Sequence, residues 1–288
     1  MSSFSRKHPI VNFIFFAFEL TFAMFLEHPA IQIAGLALSA ACAFLLAGGK
    51  TFLKRLSLLL PLMLFTALLN PLISHKGETI LFFLPTGSAC TLEAVLYGVF
   101  AAVRMGTVLL WFVCWNCVIT SDKFVYLFGR IVPSLSLTIS MGLRFVPRLL
   151  LRFREVSDAQ RCLNPQSKGL RHAGKVLSMV VSWALENALD TADSMKSRGY
   201  GLKKRTAFSV FTFTTYDAFV IAILLLLGGG VIAAWICGAL SWEFYPSMRG
   251  SGNALTVISV VLYSIMSVIP ILSEGKEVLQ WHLSKSKI

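Results

Sequence analysis

The chain has 288 residues, 56% of them hydrophobic and only 14% charged, with a mean hydropathy of +0.73. That composition describes a lipid-solvated integral membrane protein and excludes an ordinary soluble enzyme domain. The net charge of +12 does not by itself point to nucleic acid, because the basic residues of a membrane chain collect in the loops of one side.

A spanning helix needs roughly 20 mainly apolar residues. Six segments meet that test: residues 10–26, 30–47, 56–73, 92–119, 216–240 and 254–272. The predicted fold class is all-α, a polytopic membrane protein with these transmembrane helices and two or three cytoplasmic or interfacial helices between the fourth and fifth. Residues 1–120 carry the first four spans, 121–210 the polar helices, and 211–288 the last two spans and a tail. Arg6, Lys7 and His8 precede the first apolar run as they would in a signal peptide. Glu27-His28-Pro29 interrupts that run without a small-residue cleavage site, so it reads as a retained span.

Lys50, Lys54 and Arg55 lie between the second and third spans, and fifteen basic residues lie between Lys123 and Arg205. The loops of opposite parity hold little beyond Glu27, His28, Lys76 and Arg249. The asymmetry predicts both termini in the cytoplasm of a cell membrane, in keeping with Arg6 and Lys7 at one end and Lys276, Lys285 and Lys287 at the other.

The stretch from Ser121 to Arg205 is too long and too polar for a bare connection. Pro133-Ser134 is a helix start. The run 135–151, with Arg144 and Arg148 among apolar residues, reads as an interfacial helix, since a seventh span would invert every later loop against the charge bias. From Pro147 onward, Arg148, Arg152, Glu155, Asp158 and Arg161 recur at helical spacing, as an amphipathic helix that stops near Asn164-Pro165.

A second helix is expected over residues 169–197. Arg171, Lys175, Ser178, Ser182, Glu186, Asp190, Asp193 and Ser197 step by threes and fours along one face. Val176, Leu177, Val180, Val181, Ala184, Leu185, Ala188 and Met195 fill the other. Gly199 is a natural stop, free to take the left-handed conformation, and Arg198 stands at the negative helix end, where a cation is favoured. Periodicity alone is satisfied by a solvated hairpin with ordinary surface charges.

The order of these motifs adds to that reading. Pro133-Ser134-Leu135 precedes Leu143-Arg144-Phe145-Val146-Pro147, followed by Ala159-Gln160-Arg161, and then by Met195-Lys196-Ser197-Arg198-Gly199-Tyr200-Gly201 with Lys204-Arg205-Thr206 close behind. In this the chain resembles the T component of energy-coupling factor (ECF) transporters, the EcfT/CbiQ family of transmembrane coupling subunits serving vitamin and metal-ion importers. Members carry two short Ala-Arg-Gly-like motifs at the ends of two coupling helices. Ser197-Arg198-Gly199 matches the second, with serine for alanine; Ala159-Gln160-Arg161 stands at the first, followed by Cys162-Leu163 where the family has a small residue, arginine and glycine.

The resemblance implies a non-catalytic subunit that binds no cofactor itself. ATP and Mg would be used by two cytosolic ABC ATPase subunits docked at Arg161 and Arg198, and a small substrate-binding membrane subunit, the S component, would be the third partner. Arginine suits docking, because its planar fork stays charged and pairs bidentately with carboxylates.

Other chemistries find less support. Gly48-Gly49-Lys50-Thr51 lacks the first glycine of a phosphate-binding loop and ends a span. Cys114-Trp115-Asn116-Cys117 has the spacing of a thiol oxidoreductase, but lies at the inner end of a span where small apolar packing is preferred. Glu186-Asn187-Ala188 lacks the continuation of the loop that marks the permease of an ordinary ABC importer. The five histidines show no metal-ligand spacing. Glu19 and Arg104 both fall near mid-membrane, where charges are costly and usually paired, so an ion pair between them is expected to fix the first span on the fourth.

Overall fold

The computed structural model describes residues 3–74, 77–83, 89–129, 133–163, 169–202, 211–245, 248–250 and 252–285. The expected stop at Asn164-Pro165 and the basic run Lys204-Arg205-Thr206 lie outside them. In chain order the elements are α1 (Ser3–Arg6), α2 (Pro9–Phe25), α3 (Pro29–Ala47), α4 (Gly49–Ile73), β1 (Ile80–Phe83), β2 (Ala89–Thr91), α5 (Leu92–Val118), α6 (Ser121–Gly129), α7 (Pro133–Leu163), α8 (Leu170–Ser197), α9 (Thr215–Ile236), β3 (Trp242–Glu243), β4 (Arg249–Gly250) and α10 (Ala254–Lys285). They fall into two compact units, one of Met1–Thr120 with Phe211–Ile288 and one of Ser121–Val210.

The first unit is a helical membrane bundle. α3, α4, α5, α9 and the Ala254–Gly275 part of α10 are long and apolar enough to cross a membrane, and α2 is a shorter apolar helix of 17 residues. At 1.5 Å per residue α2 is about 25 Å long. This is a multi-pass membrane protein of the all-α class. Proline opens α2 and α3, where its missing N–H costs nothing. The His8 side chain accepts from the Ile10 amide at 3.3 Å, satisfying a donor that helix geometry leaves free. Thr214 and Asp217 form a reciprocal capping box at the start of α9, with the Thr214 amide donating to Asp217 Oδ2 at 3.0 Å. Two antiparallel pairs, β1 with β2 and β3 with β4, lie in the connections between spans.

α5 packs against α2, α3 and α4, and its sequence shows why. Gly98, Ala102 and Gly106, four residues apart, are all buried, forming the small-residue seam that lets membrane helices approach closely. A Cβ at Gly98 would stand 2.6 Å from the Ala67 carbonyl oxygen of α4, and one at Gly106 would stand 2.7 Å from Met63. On another face Trp111 meets Phe15 and Phe16 of α2 edge to face, with ring centroids 5.7 and 6.2 Å apart. Phe4 of α1 joins that cluster, and its amide donates to Glu274 Oε1 of α10 at 2.7 Å.

Three expectations need correction. Glu19 and Arg104 do not pair with each other. Glu19 is fully buried and accepts from Ser267 Oγ of α10 at 2.7 Å, whereas Arg104 pairs with Glu27 at 3.2 Å. Glu19 shares a buried stripe with Phe15, Phe22 and Ala23, while the longer Arg104 side chain extends to the connection after α2, where the Glu27 carboxylate is half exposed. Lys50, Lys54 and Arg55 lie within α4 rather than in a loop. Finally, the interfacial helix over 135–151 and the amphipathic helix after Pro147 are one helix, α7, with Pro147 inside it. Proline removes only its own rung to the Leu143 carbonyl, and the ladder on either side continues.

The α5 seam yields a paired test. Gly98→Ala should lower stability by about 1–3 kcal/mol, because a backbone carbonyl blocks the added methyl. Gly229→Ala, whose Cβ would meet nothing within 4 Å, should leave stability unchanged or raise it. Thermal melts of the two variants in one detergent check the contrast.

Candidate functional site

The candidate site belongs to the second unit and is built on α7 and α8. Early residues of α7 lie against late residues of α8, and late against early, so the two helices run antiparallel. Phe145 stacks on Trp183 with centroids 6.2 Å apart and rings within 7° of parallel. The Arg152 guanidinium lies over the same indole, 5.5 Å from its centroid. Further along, Gln160 Nε2 approaches Met179 Sδ at 3.6 Å. Val176 and Val180 are buried. Towards the start of α7 the helices part around an apolar groove of about 490 Å³, lined among others by Met141, Phe145, Ala184, Ala188 and Met195.

An antiparallel hairpin places the C-terminal ends of its helices far apart. Ala159, Gln160 and Arg161 lie at the end of α7, whereas Ser197, Arg198 and Gly199 lie at the end of α8. With Gln160 against Met179, about 19 residues of α8 lie between the end of α7 and Arg198, roughly 30 Å of helix. The structure therefore does not bring the two predicted triplets together.

The α8 end is defined by its hydrogen bonds. The Tyr200 amide donates to the Met195 carbonyl and the Gly199 amide to the Lys196 carbonyl, both at 2.9 Å, the pair of bonds that closes a Schellman ending. Gly199 has φ +77°, where a side chain is strained, and a Cβ there would stand 2.9 Å from Leu202 Cδ1. Ser197 Oγ donates to the Ser194 carbonyl at 2.9 Å. Ser197 and Arg198 are exposed, and among the described residues the Arg198 guanidinium makes no ion pair. The backbone is fixed while the charge stays available.

The α7 end is arranged differently. Arg161 lies 4.0 Å from Asp158 on the preceding turn, with both side chains at least 70% exposed. At that separation and exposure the pair holds the guanidinium weakly. Ala159 is exposed, and Gln160 is half buried and turned towards α8.

Sequence reading missed the Phe145–Trp183–Arg152 stack. A lone tryptophan at the boundary of the polar stripe of α8 was its signal. The apolar face of α8 was also drawn too wide: Leu177, Val181 and Leu185 are 57%, 47% and 64% exposed, because one partner helix covers only part of so broad a stripe. In the first unit, Cys114 is buried and Cys117 half buried, and all six cysteines are free. Cys114 Sγ faces the Ser39 carbonyl at 4.0 Å, so it packs the bundle rather than facing a substrate thiol. Among the described residues no group of three or more His, Cys, Asp or Glu side chains is placed to hold a metal ion.

Residues 1–210 match the family model CbiQ, cobalt transport protein. The chain belongs to this family. The CbiQ match runs from α1 through α8 and so includes the hairpin and both triplets. Over 105 residues the chain is 33% identical to the energy-coupling factor transporter transmembrane protein EcfT of Lactobacillus helveticus (strain DPC 4571), covering 34% of this chain and 38% of that protein. Over 118 residues it is 35% identical to the uncharacterized protein MG181 of Mycoplasma genitalium, covering 33% of this chain and 27% of that one. These alignments span well under half the length of the curated relatives. The EcfT/CbiQ family is thus the one that the motif order resembles.

The helix end can be probed directly. Gly199→Ala should weaken the α8 terminus by about 1 kcal/mol and speed hydrogen exchange at the Tyr200 amide about fivefold. Gly174→Ala, in the second turn of α8 with open space around its Cβ, should slow exchange in the first half of α8.

Proposed function

We propose that this CbiQ-family chain is the transmembrane coupling subunit of an ECF-type importer, without catalytic chemistry of its own. The observation that carries the reading is the α7–α8 hairpin. It presents an exposed arginine at each of two opposite ends, and at the α8 end the backbone is locked by the Gly199 turn. Two docking points roughly 30 Å apart along α8 suit a pair of cytosolic ATPase subunits, each offering an acidic groove to one guanidinium. ATP and Mg belong to those ATPases. Their motion passes through the hairpin to an S component, which selects the vitamin or metal ion to be taken up. The name of the Lactobacillus relative supports the same reading.

In this reading the second unit and both chain ends face the cytoplasm of the cell membrane, as the basic residues favour. Cys162 at the end of α7 and Cys237 after α9 are both exposed and report the two sides. A membrane-impermeant maleimide should label Cys237 in intact cells and Cys162 only in inverted vesicles. The opposite pattern would overturn the orientation.

The coupling role is tested at Arg198. Arg198→Ala should abolish uptake and transport-linked ATP hydrolysis while the chain remains in the membrane, and Arg198→Lys should restore only part of both, since an ammonium lacks the fork geometry. Normal uptake by Arg198→Ala would refute the docking role. Arg161→Ala should reduce uptake through the other end of the hairpin.

A further inference from the structure

Arg104 stands on the fourth turn of α5, midway along the helix, and its guanidinium reaches Glu27 on the side of the bundle whose connections carry few basic residues, so the bias of lysine and arginine to one membrane side does not explain it. An ionisable residue within a span calls for a function of its own. Among the described residues its ion pair is a single contact, Nη2 to Glu27 Oε1 at 3.2 Å. The Nε atom is buried and has no hydrogen-bond partner among the described residues. A guanidinium carries five N–H donors, so one oxygen of a half-exposed carboxylate leaves most of its capacity unused. Glu27 lies in the short connection between α2 and α3, so the guanidinium reaches the level of that connection, where the Glu27 carboxylate is half exposed.

Beside it runs an open groove of about 290 Å³ lined by Met24, Ala101, Arg104, Met105, Val108 and Leu109. Apart from Arg104, every lining side chain is apolar. Two are methionines, which mould to flexible chains. Sites for whole small molecules usually begin near ~300 Å³, so this groove fits an elongated apolar segment better than a compact ligand. A cation beside an apolar groove on the surface of a membrane bundle has the polarity of a phospholipid.

We propose that this groove binds one anionic phospholipid, its phosphate on the Arg104 guanidinium and an acyl chain along Met24, Met105, Val108 and Leu109. Phosphate accepts two parallel N–H bonds from an arginine, which the present Glu27 contact does not provide. Glu27 tempers the site: its carboxylate repels the incoming phosphate and shares the guanidinium with it. Removing the Glu27 charge therefore strengthens lipid binding, although it breaks the ion pair.

The test is native mass spectrometry of the purified full-length chain in mild detergent, titrated with phosphatidylglycerol and with phosphatidylcholine of matched acyl chains. The parent protein should bind phosphatidylglycerol at least about fivefold more tightly, as expected of a single charge-assisted contact. Arg104→Gln should erase that preference, and Glu27→Gln should increase phosphatidylglycerol affinity severalfold. Glycerol 3-phosphate in large excess should not displace the lipid, because the acyl chain holds it. Should Arg104→Gln fail to fold, Val108→Trp, which fills the groove and leaves the ion pair intact, should lose both lipids. The proposal is overturned by an unchanged lipid preference in Arg104→Gln, by unchanged lipid binding in Val108→Trp, by weaker binding in Glu27→Gln, or by displacement with glycerol 3-phosphate. It is equally overturned if photo-crosslinkers at Met24 or Met105 capture a membrane protein rather than lipid in native membranes.

Discussion

Hydrocarbon offers no water to an unpaired amide or carbonyl, so a chain crossing it must close its backbone hydrogen bonds within each segment. In this protein that requirement makes every long apolar run a helix and confines the two short strand pairs to the connections between spans. It also governs the starts of the helices. Pro9, Pro29 and the Thr214–Asp217 box each deal with the amide donors that a helix leaves unsatisfied at its beginning. The polar sequence that the bundle cannot accommodate is gathered into one intervening unit, which then has the length to form two helices of its own.

Within the bundle, hydrophobicity cannot choose neighbours, since lipid tails are as apolar as leucine. Shape takes over. The glycine and alanine seam of α5 admits α3 and α4, and the Phe15–Phe16–Trp111 cluster fits α2 onto another face. Glu19 adds a polar contact with Ser267, from α2 to α10. In hydrocarbon such a bond gives a modest stability increment, but it helps to specify which face of α2 meets α10.

The sequence made the spans legible because a twenty-residue apolar run has one structural solution in a bilayer. It made the end of α8 legible because Gly199 is one of few residues that enter the left-handed region without strain. Counting residues gave Glu19 and Arg104 similar depth but not the direction each faces around its helix. Their partners, Ser267 and Glu27, lie 248 residues and 77 residues away along the chain, beyond the reach of local periodicity. The run 135–151 and the amphipathic stretch from Pro147 onward read as separate helices by their different polarity, yet one helix of 31 residues carries both and tolerates the loss of one rung at Pro147. The Gly98–Ala102–Gly106 seam was written plainly at a spacing of four, but its value emerges only with Ala67 and Met63 in place.

The antiparallel course of α7 and α8 has a mechanical corollary. In the coupling role proposed above, a stiff hairpin that turned about the Phe145–Trp183 stack would act as a two-armed beam and carry the Arg161 and Arg198 tips in opposite senses. Any bodies gripping both tips would thus share one coordinate of motion, with the stack as fulcrum and the stiffness of two hydrogen-bonded helices as the link.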